Sequence, residues 1–260
     1  MTARPSSAET PSRPEKRTLA DEAYTELKSR IMRSELAPGA KLSIDGLAKQ
    51  LAFSQTPIRE ALARLESEGL LARRPLSGYT VEPLLSAAEF ADLFEIRMVL
   101  EPMAARRAAE RTLLAATAES GRGAEAEVEA FGAETATLLH AARTPDVRAD
   151  KLLFTEADAR FHNAVAAMSG SMQLSKAIRR LDAHLHLHRA YIEPESIGET
   201  EVEHLAVADA IIAQKPLAAE EAMRRHLERS RARHGAAFEA AHAATSGAAT
   251  PKPKRSKATR

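Results

Sequence analysis

The chain has no cysteine among its 260 residues, which excludes a disulfide framework and a thiolate metal site. It has no apolar run approaching the length of a membrane span, and its first residues, Met1 to Ser7, lack an apolar signal core. Both observations point to a cytoplasmic protein with no membrane partner. It also lacks an excess of either charge, since 37 Lys and Arg meet 36 Asp and Glu for a net charge of +1. A near-neutral chain is no general polycation, so any affinity for nucleic acid must come from local patches. Strand-like runs and Gly-rich loops are missing after residue 86, where Ala, Leu, Glu and Arg dominate. The length allows a second core beyond one small domain.

What is present begins at Leu42. Leu47, Leu51, Ile58, Leu62 and Leu65 recur at helical spacing on either side of a short turn, the pattern of a helix-turn-helix. Ser54 or Thr56 can cap the second helix, and Pro57 is tolerated in its first turn. That turn carries Gln55, Thr56 and Arg59, which can reach base edges and phosphates as the N-terminal residues of a recognition helix do. Gly69 ends the helix. Two short strands follow, Leu70 to Arg73 and Tyr79 to Val81, joined by a turn over Pro75 to Gly78. A helix-turn-helix plus a basic hairpin is a winged helix, with Arg73 and Arg74 placed for phosphate contacts. A three-helix protein-interaction module is the competing reading, and the hairpin argues against it.

Residues 18–83 resemble the DNA-binding domain of the GntR family of bacterial transcription regulators. The resemblance rests on Pro38-Gly39, Leu47-Ala48, Ser54-x-Thr56-Pro57-Ile58-Arg59-Glu60-Ala61-Leu62, Leu65-x-x-x-Gly69-Leu70 and the wing Gly78. It implies DNA contacts for Thr56, Arg59 and Gly78, and for Gln55 where the family usually has Arg. Asp45 stands where some members carry a DNA-contacting Arg, and Ala52 replaces a common Gly. Gln suits adenine and Arg suits guanine, so the departure at Gln55 bears on the sequence read.

Residues 86–240 read as an antiparallel bundle of six or seven helices, so the fold class is mainly α. The pattern predicts helices near 87–110, 148–169, 172–192, 199–214 and 217–240, with one or two more within 112–144. Pro194 and Lys215-Pro216 are breaks. Residues 1–17 and the basic stretch 241–260 are expected as disordered tails.

Four residues of the bundle carry chemistry. Asp158 and His162 are spaced i, i+4 and share a helix face. His204 and His226 lie almost equidistant from the break at Lys215-Pro216, so in a helical hairpin they sit at one height. Three His and one Asp make an N/O site for a divalent transition metal, Zn²⁺ or Ni²⁺ first. The alternatives are an ordinary Asp158–His162 pair without metal, and a rival cluster of His184, His186 and His188. The rival has Asp182 as its only carboxylate at helical spacing, and that side chain points elsewhere.

The segments Asp158-Ala159-Arg160-Phe161-His162-Asn163-Ala164-Val165, Met168-Ser169-Gly170, Glu203-His204-Leu205-x-x-x-Asp209-Ala210-Ile211 and Ala222-Met223-x-x-His226-Leu227 resemble the FCD effector domain of the FadR subgroup, over about 86–236. In metal-binding members the corresponding Asp and three His are the ligands. Arg97 falls on the apolar stripe of Phe90, Leu93, Phe94, Leu100 and Ala104, and a buried Arg needs an anion. Its partner is either Glu101 one turn on or an effector carboxylate; the resemblance favours the effector.

The expected function is a dimeric transcription regulator, a repressor, on a palindromic operator. A small carboxylate bound at the metal and Arg97 would tune operator affinity. Two alternatives stand beside it: a metal-dependent hydrolase with a DNA-binding appendage, and a regulator whose metal is purely structural. The hydrolase reading lacks a general base, since Glu203 is expected to point away from the site.

Overall fold

The computed structural model describes residues 17–74, 78–117, 124–143, 150–189 and 196–247. The expected turn at 75–77, the break at Pro194, the tail up to residue 16 and the tail beyond 247 lie outside them. Thr18 opens α1 (Leu19–Met32) with a capping box in which its hydroxyl and the Asp21 carboxylate each satisfy the other's backbone N–H. After β1 (Lys41–Leu42), Ser43 caps α2 (Ile44–Leu51) by accepting from Gly46 N–H. Helix α3 (Gln55–Ser67) starts at Ser54, whose side chain makes no capping bond, contrary to the sequence expectation. The strands β2 (Leu71–Arg74) and β3 (Gly78–Val81) pair antiparallel, with Leu71 opposite Val81 and Arg74 opposite Gly78. The sheet has a third strand that the sequence reading missed: β1 pairs with β3, Leu42 opposite Tyr79. Two residues are too short a run to show alternation. The core beneath joins Leu27 and Ile31 of α1 to Leu47, Ile58, Leu62 and Leu65.

Ala52 ends α2 in the left-handed region, at φ 57 and ψ 32. A side chain there costs about 1 kcal/mol that glycine avoids. Ala52→Gly should therefore raise stability by about 0.5–1 kcal/mol, read as a higher urea midpoint at unchanged slope. No gain would mean the turn is held without strain.

The helical half comprises α4 (Ala87–Thr117), α5 (Ala124–Ala142), α6 (Lys151–Met168), α7 (Met172–Arg180), α8 (Ala183–His188), α9 (Ser196–Ile212) and α10 (Pro216–Gly247). Three sequence expectations change. The first helix runs seven residues past 110, to Thr117. The expected single helix over 172–192 is two, because Asp182 adopts φ 42 between them. The last helix continues to Gly247, into the stretch taken for a tail; Ala is a strong helix former and fills that stretch. Alanines of α4, Phe161 and Val165 of α6, Val207 and Ile211 of α9, and Met223 and Leu227 of α10 form the main core.

The two halves touch. Leu152 of α6 and Leu185 of α8 are buried in the winged-helix core. Arg189, just after α8, donates to the backbone carbonyls of Glu82 and Pro83, which follow β3.

Candidate functional site

The bundle brings six polar side chains to one buried place. Asp150 caps α6 through Leu152 and Leu153 N–H, and two turns later that helix presents Asp158 and His162 inward. The α9–α10 hairpin turns through Gln214 in the left-handed region, with Pro216 at the first position of α10. His204 and His226 face each other across it, with ring centroids 4.8 Å apart. His204 also stacks on Phe161 at 3.8 Å, which fixes its ring.

The ligand atoms of His162, His204 and His226 lie within 4.8 Å of one another. Asp158 Oδ1 stands 3.2 Å from His204 Nε2 and 3.9 Å from His162 Nε2. A tetrahedral ion with bonds of about 2.1 Å separates its ligand atoms by about 3.4 Å. The decisive feature is hydrogen bonding. Asp158 Oδ1, His162 Nε2 and His204 Nε2 are buried and make no hydrogen bond, the close Asp158–His204 approach being misaligned for one. Native cores rarely leave three such atoms unmet, and here they converge on one point. The donor set fits a borderline-soft divalent cation.

Behind this point stand two chains of the same kind. Glu101 bonds His162 Nδ1, and Arg97 bonds Glu101 at 2.6 Å, all three side chains buried. Glu203 bonds His226 Nδ1 at 2.9 Å, and Arg233 clamps Glu203 with two bonds of 2.8 Å. Each carboxylate fixes the tautomer that turns Nε2 to the centre, the arrangement that ligating histidines need. Arg97 is paired with Glu101 one turn away, the nearer of the two anions weighed for it. Glu203 does leave the ligand face, as helical geometry requires, but it reaches back to the neighbouring helix to hold His226.

The rival cluster is also overtaken. His184 and His188 come to the same carboxylate, Nδ1 of His184 at 2.7 Å and Nε2 of His188 at 3.2 Å from Asp158 Oδ2. Their carboxylate is thus Asp158 and not Asp182. With Asp158 these two form a second group of metal-ligand type. Here, unlike in the first group, the carboxylate oxygen is already hydrogen-bonded, by His184, while His188 Nδ1 meets the Thr155 hydroxyl at 3.2 Å. His186 points away and packs over Gly69, where an added Cβ would lie 3.5 Å from its ring. A residue on another helix, 26 positions away, supplied the carboxylate, so no local spacing could reveal it.

Burial favours the neutral imidazole at His162, His188 and His204. It pushes His162 well below its ordinary value, and His204 down to about 4. Burial would raise Asp158 and Glu101, yet His184 holds the first carboxyl, and Arg97 with His162 the second, well below the usual carboxylate range. Glu203, held by Arg233 and His226 against its burial, falls to about 2. An ionised Asp158 beside neutral His162 and His204 is the protonation state that metal ligands need. A cavity of about 180 Å³ abuts the centre, lined by Thr155, Glu156, Asp182 and His184 of the bundle and by Lys28 and Glu68 of the winged helix.

In the winged helix, Gln55, Thr56 and Arg59 are exposed on the first turns of α3. The Gln55 amide donates to Asp45 at 2.6 Å and accepts from Arg59 at 3.2 Å. The two departures from the family pattern, Asp45 and Gln55, are thus partners. Arg73 and Arg74 are exposed on β2. Gly78, at φ 80, has a backbone reason to be glycine: a Cβ would come 2.9 Å from the Leu42 carbonyl oxygen. No described helix is long and apolar enough to cross a membrane.

Comparison with known proteins gives the family and the fold. Residues 19–81 match the family model described as bacterial regulatory proteins of the gntR family, and residues 92–229 match the FCD domain. The chain is 30% identical over 215 residues to the HTH-type transcriptional repressor GlaR of Escherichia coli (strain K12), covering 79% of this chain and 91% of that protein. Its fold is similar to that of E. coli McbR/YncC (TM-score 0.56, 23% identity, 86% of this chain and 100% of that one). It is likewise similar to a GntR transcriptional regulator from Rhodococcus sp. RHA1 (TM-score 0.58, 21% identity, 84% and 98%). These relatives are regulators and not enzymes. The chain belongs to the GntR family of DNA-binding transcription regulators, in the group that carries an FCD domain.

Proposed function

We propose that this regulator holds one divalent transition metal, zinc or nickel, on Asp158, His162, His204 and His226, and that a small carboxylate completing the metal's shell tunes its hold on DNA. The observation that carries the reading is the convergence of three buried polar atoms without hydrogen bonds on one point. Bound there, the ion would supply a positive centre for an anionic metabolite. Arg97 enters as the cation behind Glu101, a positioning residue for His162. The regulator acts as a repressor, a reading supported by its relative, the transcriptional repressor GlaR. It acts as a homodimer on a palindromic operator, since one recognition helix spans only a half-site. Ile96, Val99 and Met103 form an exposed apolar row on α4, at 45%, 67% and 41% exposure, suited to a second copy. A purely structural ion is the second reading, favoured by the burial of all four ligands.

A thermal-shift screen of small carboxylates, with and without chelator, separates the two. A carboxylate that stabilises only the metal-loaded protein supports the effector site; stabilisation by metal alone supports the structural one. At the DNA surface, Gln55, Thr56, Arg59, Arg73, Arg74 and the turn at Gly78 form the proposed contact set. Arg59→Ala should weaken binding to an operator selected from randomised DNA by about 1–3 kcal/mol. Unchanged affinity in a gel-shift titration at fixed salt would remove Arg59 from the interface.

A further inference from the structure

We infer that α8 is the lever through which the metal centre acts on the winged helix, with Asp158 as the shared group; this rests on the metal reading above. Helix α8 is six residues long, and its faces serve two different places. His184 hydrogen-bonds Asp158 Oδ2 at 2.7 Å, and His188, one turn on, stands with Nε2 3.2 Å from the same oxygen. Between and after them, Leu185 is buried in the winged-helix core, His186 packs over Gly69 at the end of α3, and Arg189 bonds the Glu82 and Pro83 carbonyls behind the wing. Glu82 N–H in turn bonds the Leu70 carbonyl at the start of the hairpin. One helical turn therefore separates the metal centre from the frame of the DNA-reading unit.

The two oxygens of Asp158 divide the work. Oδ1 faces the ligand point and has no hydrogen bond, while Oδ2 holds α8. A cation taken up at Oδ1 draws the carboxylate's charge and its plane towards itself. The bond from His184 to Oδ2 and the close His188 contact weaken and re-aim in consequence. The winged-helix contacts of α8 are packed side chains and a charged donor on carbonyls, which move with the helix rather than stretch. Asp182, at φ 42, lies at the N-terminal end of α8, a backbone joint that separates its movement from α7. Metal occupancy then changes the preferred seat of the winged helix, and linkage makes the effect reciprocal: operator binding changes metal affinity by the same factor.

Hydrogen–deuterium exchange of the full chain, with zinc or with chelator, tests this, alongside elemental analysis for stoichiometry. In the wild type, zinc should change exchange severalfold in α6, in α8 and in the segment from Leu70 to Glu82. In Arg189→Met, and independently in Leu185→Ala, zinc should load to the same stoichiometry and still alter α6, while the response from Leu70 to Glu82 is lost. The lever is wrong if zinc loads yet that segment stays silent in the wild type, or if it responds in both variants as fully as in the wild type. If zinc does not load into the wild type, the metal reading fails and the lever falls with it, an outcome the elemental analysis identifies separately.

Discussion

His204→Ala and His226→Ala should each leave the purified protein without its ion, while the wild type carries about one divalent ion per chain. Four protein ligands would hold the ion, and removing one gives its place to water and lowers affinity steeply. The structure adds how the rest of the shell behaves. His162 and His226 are aimed by Glu101 and Glu203, so Glu203→Gln should keep the ligands but weaken the ion about 10–100-fold. Metal removal also has a thermodynamic reading. An ion bound only by the folded chain at 100 times its dissociation constant contributes about 2.7 kcal/mol, so chelator should lower the melting temperature of the wild type and leave His204→Ala almost unmoved. Elemental analysis of protein prepared without chelator and without a metal-affinity tag decides the matter. Retention of the ion in both variants, with loss in His184→Ala, would shift the ion to the Asp158–His184–His188 group.

The features legible in the sequence were those set by local periodicity or by symmetry about a turn. The helix-turn-helix follows from the spacing of Leu47, Ile58, Leu62 and Leu65, all of which are buried. The facing of His204 and His226 follows from their nearly equal distances to the break at Lys215-Pro216. What escaped depends on contacts between elements far apart in the chain. β1 exists because β3 offers it an edge. The expected helix over 172–192 breaks at Asp182, a non-glycine in the left-handed region, which propensity does not predict. The carboxylate for His184 and His188 comes from α6, and the second carboxylate–histidine chain, Glu203 to His226, crosses from α9 to α10. For Arg97 the residue spacing left two anions open, and the family resemblance favoured the effector. The structure places Glu101 at 2.6 Å because one turn of helix brings it there without rearrangement.

Arg97→Ala should therefore be the most destabilising single change among the bundle's charged residues. Arg97 and Glu101 are 2% and 3% exposed at their side chains. Breaking a buried pair by deleting one partner typically costs 3–5 kcal/mol, because the other charge stays buried without compensation. Glu101 would then lean on His162 alone, favouring the imidazolium and withdrawing Nε2 from ligation, so metal affinity should fall as well. The double variant Arg97→Met with Glu101→Gln removes both charges while keeping side-chain volume. It should recover most of the stability, giving a coupling energy of several kcal/mol in the cycle. Metal affinity should recover only in part, since Gln can still meet His162 Nδ1 but without charge. A direct effector anchor at Arg97 predicts a different pattern: stability and metal content unchanged in Arg97→Ala, with only the carboxylate response lost. Urea unfolding of the three variants beside their metal titrations discriminates. A loss below about 1 kcal/mol in Arg97→Ala would show that Glu101 finds another partner, and that the chain from Arg97 through Glu101 to His162 does not hold the centre.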